Sequence, residues 1–354
     1  GNDWRDRRVP GACLVALFAA SIAAAFSGAG EELLKRKSAA YSAIPFGGMR
    51  YAVPPYPSYS KPCTGQVVSA SRTHGKEAQR MALIHNHARR KLLAGEVVIS
   101  FGVHHLRSVA APLIAASTGH DILFIDMEHG AFTVQEAAQL CIAALPTGVA
   151  PIVRVCAGAL DEATRLLDNG ALGIVVPHVD TAAQARVIAE AFHYRPDGRR
   201  SWGGPPPIYG YRPPSVAEAM AAINAEILTV VMIESPLAVD NADTIAAVAG
   251  IDVLLIGTFD LSAELGIAGQ VTHPKIADAY ARVGAACRNH GKVLGMGGIN
   301  DPQDMARYLG MGARYLGAGS DQSYIVSGAE GRMTLLRAML AGDPIDQSSS
   351  PRSK

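Results

Sequence analysis

Eight short apolar runs, each followed by a segment with helical spacing of its apolar residues, fill the chain between residues 81 and 342. Such runs are typical of buried strands, and the segments between them are typical of amphipathic helices. The predicted strands are VVISF, ILFIDME, APIVRV, GIVVP, LTVVMIE, VLLIG, VLGMGG and RYLGAG. Eight parallel strands joined by right-handed helical crossovers close into a barrel. We therefore expect an α/β fold, a (β/α)8 TIM barrel, over residues 81–342.

The connections between these strands are predicted as helices, with one exception. The stretch between Tyr194 and Ala225 contains RPDGRRSWGGPPPIYGYRPPS, which is too rich in proline and glycine for a regular element. Loops of that length in a compact domain are usually functional. The predicted helices are Leu106–Ser117, Val134–Ala144, Leu160–Leu167, Ala182–Ala191, Thr244–Val248, a segment within Ile276–Asn289, and Gln303–Leu309.

An irregular basic arm precedes the barrel. Residues 1–90 carry 13 lysines and arginines against 5 acids, although the whole chain has a formal net charge of only +1. An apolar stretch, Gly11–Gly28, follows three arginines, as in a signal peptide, a membrane anchor or an organelle transit segment, and a mis-assigned upstream start gives the same pattern. We treat residues 1–80 as an N-terminal extension and residues 343–354 as a polar tail.

The cysteines indicate a reducing compartment. The chain has five, Cys13, Cys63, Cys141, Cys156 and Cys287, and their spacing is neither metal-like nor redox-like. A disulfide framework is therefore not expected. The prediction is a cytoplasmic protein, or an organellar one if the N-terminal arm is a transit segment.

Polar residues collect at the predicted strand ends, and the carboxyl ends of barrel strands meet over one mouth. The candidates there are Asp126, Glu128, His129, Arg154, Pro177, His178, Glu234 and Asp260. Glu234 and Asp260 end adjacent strands, where two close carboxylates repel each other unless a cation lies between them. Hard oxygen ligands favour Mg²⁺ or Mn²⁺. The alternative is that each acid caps the helix that follows it.

Arg154 and His129 are the candidates for binding an anion and for transferring a proton. A guanidinium that emerges from the apolar run PIVRV requires an anion, either on a substrate or on Asp126 or Glu128. His129 follows Asp126 by three residues and could act as a base whose tautomer that carboxylate fixes, although a lone histidine after a strand is more often structural. After residue 90 the only lysines are Lys91, Lys275, Lys292 and Lys354, and none ends a strand, so a Schiff base is not expected.

Several of these motifs together resemble the HpcH/HpaI family of class II pyruvate-dependent aldolases. The residues that carry the resemblance are IDMEHG, PIVRV, GALGIVVPHVDTAAQA, VVMIES, NADTIAAVAGIDVLLIGTFDLSAELG and GQVTHP. The match covers about Met81 to Leu340. The resemblance implies a barrel of the phosphoenolpyruvate/pyruvate type and reversible cleavage of a 4-hydroxy-2-oxo acid to pyruvate and an aldehyde. It also implies a divalent metal (Mg²⁺, Mn²⁺ or Co²⁺), no nucleotide cofactor, no nucleic-acid partner, and a homo-oligomer, namely a hexamer of three dimers that exchange the last barrel helix.

The family's site residues map onto this sequence one by one. The resemblance makes Glu234 and Asp260 the metal ligands, Arg154 the group that neutralises the enolate oxygen, and His129 with Asp126 the proton-transfer pair. Backbone around Gly257, Thr258 and Phe259 would hold the pyruvate carboxylate. Two departures stand out, because Met232 replaces a glutamine found in some members and the segment DGRRSWGGPPPIYGY replaces a shorter turn.

Other functions remain open at this point. An oxaloacetate decarboxylase or carbon–carbon bond-forming synthase would use the same metal enolate. An acyl-CoA lyase would require a basic surface for the nucleotide phosphates, and the sequence shows none beside the mouth. A barrel that serves only as a scaffold is the third alternative, although clustered charges give a scaffold no advantage.

Overall fold

The structure, a computed structural model, describes residues 83–342. The predicted arm of residues 1–80 and the predicted tail of residues 343–354 lie outside these described residues, as do Cys13 and Cys63. Among the helices that are described, none combines the length and the apolar character that a bilayer crossing requires. Cys141, Cys156 and Cys287 are free thiols.

Eight parallel strands form one closed barrel, in which β1 is hydrogen-bonded to both β2 and β8. The predicted TIM barrel is therefore confirmed. The strands are β1 Val98–Val103, β2 Ile122–Asp126, β3 Ala150–Arg154, β4 Gly173–Val176, β5 Leu228–Ile233, β6 Val253–Gly257, β7 Val293–Gly297 and β8 Ala313–Ser320.

Helices cover the outside of the barrel. They are α1 His87–Leu93, α2 Ala111–Ser117, α3 Val134–Ala144, α4 Leu160–Asp168, α5 Ala182–Phe192, α6 Val216–Glu226, α7 Pro236–Asp240, α8 Ala242–Ala246, α9 Thr258–Glu264, α10 Pro274–His290, α11 Pro302–Gly310 and α12 Asp321–Ala341. Short 3₁₀ turns lie at Leu145–Thr147 and Pro207–Tyr209.

Burial on both faces explains why the strands are continuous apolar runs. Every residue of β5 and β6 is buried, because helices pack on the outer face while side chains fill the inside. Local signals fix where several helices begin: Thr133, Thr181 and Ser215 each form a capping box with the residue three positions later.

The structure corrects three helical assignments. The segment predicted as an irregular loop contains α6, which begins after a proline pair and is capped by Ser215, so the prolines mark its start. The predicted helix Thr244–Val248 is observed as α8, which begins and ends two residues earlier, and the short helix α7 precedes it. Helix α9 follows β6 without a loop, which places Asp260 in a first helical turn.

Strand register determines which residues meet at the mouth, the end of the barrel where the carboxyl ends of the strands lie. The last pair between β2 and β3 is Asp126 with Arg154. Ile233 of β5 pairs with Ile256 of β6, so Glu234 and Gly257 are neighbours at the rim.

The barrel wall leaves no space for a side chain at Gly173 of β4. A Cβ atom there would lie 2.4 Å from the carbonyl oxygen of Leu228 and 2.8 Å from Cδ1 of Ile152. We expect Gly173→Ala to lower the free energy of unfolding by about 1–3 kcal/mol, the usual penalty of overpacking. Urea denaturation measures the loss, and equal stability of the variant and the wild type would contradict this description.

A matched control is Gly310→Ala at the exposed end of α11, where an added Cβ meets no atom within 4 Å. We expect its stability to be unchanged or slightly raised, because alanine restricts the unfolded chain more than glycine does.

Candidate active site

A cavity of about 480 Å³ opens at the mouth of the barrel. Its wall includes the predicted site residues His129, Arg154 and Asp260, together with Gly257, Thr258 and Phe259. The rest of the wall is formed by Ser100, Gly102, His104, Phe124, Met232, Leu255, Gly297, Gly298, Asn300, Tyr315, Gly317, Gly319, Ser320 and Ser323. The strand ends therefore converge as the sequence predicts.

Arg154 forms a two-pronged ion pair with Asp126 at the base of the cavity. Its Nε atom lies 2.9 Å from Oδ1 and its Nη2 atom 2.5 Å from Oδ2 of that carboxylate. Its Nη1 atom lies 3.2 Å from Oε2 of Glu128. Both anions that the sequence offered as internal partners are thus engaged, and the guanidinium still lines the cavity.

Asp126 is fully buried and accepts more hydrogen bonds than those from Arg154. The Nε2 atom of His104 lies 2.8 Å from Oδ2, and the backbone N–H groups of Glu128 and His129 donate to Oδ1. Burial alone would raise the pKa of Asp126, but the hydrogen bonds from His104 and Arg154, the charge of Arg154 and the His129 N–H hold it well below its usual value. Asp126 is therefore a permanent anion and does not exchange protons near neutral pH.

The expected side-chain pair of His129 with Asp126 is not formed. The His129 side chain is 63% exposed, with Nε2 3.9 Å from Oε2 of Glu128, and only its backbone N–H reaches Asp126. The Asp126 carboxylate instead accepts the backbone N–H groups of Glu128 and His129, and the His129 ring is exposed to solvent. The imidazole that does bind Asp126 is that of His104, which the sequence reasoning missed because β1 ends at Val103 and not at Phe101.

The first residue of α12 holds the loop that carries His104. Asp321 is buried, and its carboxylate accepts the backbone N–H groups of His104, His105 and Leu106 at 3.1, 2.8 and 2.6 Å. Burial opposes ionisation, but these backbone hydrogen bonds, with the one from Gln322, lower the pKa of Asp321. The start of the last helix is therefore fixed to the end of the first strand.

Glu234 is buried beside a histidine with unusual backbone geometry. His178 has φ of 55°, a left-handed conformation that is uncommon for a residue with a side chain. Its backbone N–H donates to Oε2 of Glu234 at 2.8 Å, and its Nδ1 atom lies 3.2 Å from the same oxygen. Burial raises the pKa of Glu234, and the charges of Asp260 and Glu128 raise it further, against the opposing effect of His178.

The two acids predicted as metal ligands fit a hard divalent cation. A Cβ atom on Gly257 would lie 2.4 Å from Oε1 of Glu234, so only glycine lets this oxygen lie against the end of β6. Neither acid is a helix cap, because Ser235 caps α7 and α9 has no side-chain cap. Both supply oxygen atoms, which Mg²⁺ and Mn²⁺ prefer.

This donor set is incomplete without other ligands. Among residues 83–342 no group of three or more histidine, cysteine, aspartate or glutamate side chains is arranged to hold a metal ion. A cation held by two carboxylates retains coordination positions for water and for substrate oxygens, as catalytic Mg²⁺ sites do.

The described lysines are directed elsewhere. Lys91 pairs with Asp121, Lys275 reaches the carbonyl of Leu265, and Lys292 donates to the carbonyl of Ile251. None of the three lines the cavity.

Comparisons with known proteins place these features in one family. Residues 107–327 match the HpcH/HpaI aldolase/citrate lyase family. A 4-hydroxy-4-methyl-2-oxoglutarate aldolase of Hapsidospora irregularis is 34% identical over 68% of this chain and 90% of its own length. A 2-keto-3-deoxy-L-rhamnonate aldolase of Klebsiella pneumoniae is 33% identical over 73% of this chain and 95% of its own.

Solved structures agree with the sequence comparisons. An HpcH/HpaI aldolase of Desulfitobacterium hafniense has a TM-score of 0.65 and 33% identity, covering 68% of this chain and 95% of that one.

Loss of the Asp126 charge should destabilise the protein. We expect Asp126→Asn to lose about 3–5 kcal/mol at pH 7, because Arg154 would remain buried without its main counter-ion. The pKa of Asp126 is lower in the folded than in the unfolded protein, so its stabilisation is complete above about pH 5 and is lost as the pH falls below about 4. Urea denaturation of both proteins from pH 7 to pH 3 should show the difference shrinking, and a constant difference would contradict this assignment.

Proposed function

The chain belongs to the HpcH/HpaI aldolase/citrate lyase family, and on that basis we propose that it cleaves a 4-hydroxy-2-oxo acid to pyruvate and an aldehyde with the help of a divalent metal ion. The observation that carries the proposal is the pair of carboxylates beside a cavity that Arg154 lines, Glu234 directly after β5 and Asp260 in the first turn of the helix that follows β6. Relatives named as aldolases, at 33–38% identity, support the reaction class.

Glu234 and Asp260 would hold the cation, which we take to be Mg²⁺, Mn²⁺ or Co²⁺. When bound, it would polarise the 2-oxo group and stabilise the negative charge that develops on its oxygen. His178 occupies Oε2 of Glu234, and the other oxygen lies over Gly257, on the side of Asp260. The backbone of His178 therefore orients Glu234 before any ligand arrives.

The start of α9 would hold the carboxylate of pyruvate. Thr258 and Phe259 are the first two residues of that helix, so their backbone N–H groups have no acceptor within the helix. Both residues line the cavity next to Asp260. Backbone donors at this point suit a carboxylate, and they leave Arg154 available for the oxo group.

Arg154 would stabilise the enolate oxygen, and His129 would transfer the proton of the 4-hydroxyl group. Arg154 is fixed by Asp126 and Glu128 and presents positive charge to the oxygen that becomes an enolate. His129 lines the outer part of the cavity with an exposed ring, so it can exchange protons with water and accept or return the proton of the 4-hydroxyl group. Asp126 then positions Arg154 and is not a proton carrier.

Carbon–carbon bond formation is the second candidate, because it uses the same enolate. Two solved structures with TM-scores of 0.64 are described as citrate synthase SbnG and macrophomate synthase, at 28% and 26% identity over 72% and 74% of this chain. They cover 98% and 93% of those chains. The higher identity to named aldolases favours aldol cleavage. Product analysis with oxaloacetate as the nucleophile precursor distinguishes the two.

We also propose that the chain forms a homo-oligomer through α12. Of the 21 residues of this helix only Asp321 is buried. Large apolar side chains on it are exposed, among them Ile325 at 57% and Val326 at 48%. Apolar surface of this kind is typical of an interface, and an exchanged last helix is what the family resemblance implies.

Removal of the metal should abolish the reaction. We expect EDTA to stop pyruvate release from 4-hydroxy-4-methyl-2-oxoglutarate and 2-keto-3-deoxy-L-rhamnonate, and Mg²⁺, Mn²⁺ or Co²⁺ to restore it. Glu234→Gln and Asp260→Asn should each lower turnover by about 100-fold or more, because the stabilisation that a cation gives the transition state is several kcal/mol.

The control for these variants is Asp278→Asn on the exposed surface of α10, which should behave like the wild type in turnover and in Mn²⁺ affinity. Activity that survives exhaustive chelation would contradict the metal mechanism. Borohydride reduction in the presence of pyruvate should label no lysine.

Charge on α12 should dissociate the oligomer. We expect light scattering after size-exclusion chromatography to give a multiple of 37.0 kDa for the wild type and a smaller species for the double variant Ile325→Asp, Val326→Asp, because buried carboxylates oppose association. Ser327→Asp on the same helix adds one charge without removing apolar surface and serves as the control. A monomeric wild type would contradict the proposal.

A further inference from the structure

Two buried polar atoms of the residues that line the cavity have no hydrogen-bond partner among the described residues, Nδ1 of His104 and the hydroxyl of Tyr315, and the hydroxyl is the one that can only be a phenol donor or acceptor. Tyr315 lies on β8, its side chain is 1% exposed, and it lines the cavity. Its hydroxyl forms no hydrogen bond with any described residue. Two other buried tyrosines satisfy theirs, since Tyr280 pairs with Thr258 and Tyr308 donates to the carbonyl of Val271. A buried hydroxyl is nearly always paired, so the exception at Tyr315 requires an explanation.

Arg154 lines the same cavity as Tyr315 and is the charged group that acts on its hydroxyl. Burial raises the pKa of Tyr315, and the positive charge of Arg154 opposes that rise, so the two groups lie within each other's field. The phenol keeps its proton at neutral pH and can donate it to a hydrogen-bond acceptor on a ligand in the cavity. The Nη1 atom of Arg154 lies 3.2 Å from Oε2 of Glu128 and 3.9 Å from the Sδ atom of Met232, which is a weak acceptor.

The other buried hydroxyls of this wall, those of Ser100 and Thr258, are already engaged. Ser100 donates to the carbonyl of Leu316, and Thr258 is paired with Tyr280. The side chains of Phe124, Met232 and Leu255 complete an apolar surround. Among the buried hydroxyls of the wall, that of Tyr315 is therefore the one with a proton to offer.

Two glycines leave space above the ring. Gly317 follows Tyr315 by two residues and so faces the same side of β8, and Gly297 ends the neighbouring strand. A Cβ atom at either position would be no nearer than 3.4 Å to its surroundings, which is ordinary contact. Packing of the wall does not require glycine there, and both positions leave open volume in the cavity that Tyr315 lines.

We propose that Tyr315 is a catalytic hydrogen-bond donor, which binds together with Arg154 the oxygen of the substrate's 2-oxo group. This inference rests on the proposed aldolase function. In cleavage the C3–C4 bond breaks and its electron pair forms the C2–C3 double bond, while the π pair of the oxo group moves onto its oxygen. The 4-hydroxyl loses its proton to a base and becomes the aldehyde carbonyl, and C3 is later protonated to give pyruvate.

In this scheme Tyr315 keeps its proton throughout. Its hydrogen bond strengthens as charge collects on the oxygen, which is the condition for a donor to lower the barrier and not merely to bind substrate. The same oxygen carries charge when pyruvate enolises without any aldehyde, so the contribution of Tyr315 can be measured with pyruvate alone.

The test is Tyr315→Phe, followed by proton NMR of pyruvate methyl exchange in D₂O with Mg²⁺. We expect the exchange rate to fall by about 100- to 1000-fold, the usual effect of removing one donor to an oxyanion. The melting temperature should stay the same or rise, because the variant removes an unpaired buried hydroxyl. Tyr308→Phe is the matched control and should show the reverse, with normal exchange and a lower melting temperature.

A binding measurement keeps the inference separate from the proposed function. Calorimetry with oxalate, a planar mimic of the enolate, and Mg²⁺ should give a dissociation constant at least about 10-fold higher for Tyr315→Phe than for the wild type, consistent with one lost hydrogen bond to an anion. Equal oxalate affinity and equal exchange in the two proteins, or no oxalate binding by the wild type, would overturn the assignment of Tyr315. A wild type that binds oxalate but neither exchanges pyruvate protons nor cleaves hydroxy-oxo acids would contradict the proposed function instead.

Discussion

The buried ion pair of Asp126 with Arg154 is the interaction on which the rest of the site depends. It forms because the last residues of β2 and β3 are paired in register, so the two side chains leave the sheet together. Neither charge could be buried alone without a large desolvation penalty. Held on both Nε and Nη2 by one carboxylate, the guanidinium has a fixed plane, and the groups around it can be arranged relative to that plane.

The two sides of the mouth of the barrel differ in their charged groups. On one side Arg154 balances Asp126 and lies next to Glu128. On the other side Glu234 is buried beside the imidazole of His178, and burial, with the charges of Asp260 and Glu128, raises its pKa. A substrate with a carboxylate and an oxo group can span both halves, with one oxygen at the cation and the other toward Arg154.

The sequence was sufficient for the barrel, because burial on both faces makes each strand a recognisable apolar run, and it identified six of the residues that line the cavity at its mouth. The sequence was insufficient to predict which side chains pair with one another, because that depends on the direction in which each side chain points. Asp126 and His129 are three residues apart, which permits a pair, but the carboxylate binds the backbone N–H groups of its own turn and His104 instead. Helix α6 was missed because its first turn follows two prolines, and Tyr315 because a tyrosine within an apolar run has no feature that distinguishes a satisfied hydroxyl from an unpaired one.

Asp321 links the start of α12 to the segment that follows β1. Its carboxylate accepts hydrogen bonds from three successive backbone N–H groups of that segment, although more than two hundred residues separate Asp321 from them in the chain. The same residue begins the long, mostly uncovered helix α12. A displacement of α12 would therefore be transmitted through these hydrogen bonds to the segment that carries His104, whose imidazole binds Asp126. Because Asp126 orients Arg154, the geometry of the cavity depends on the surface against which α12 packs.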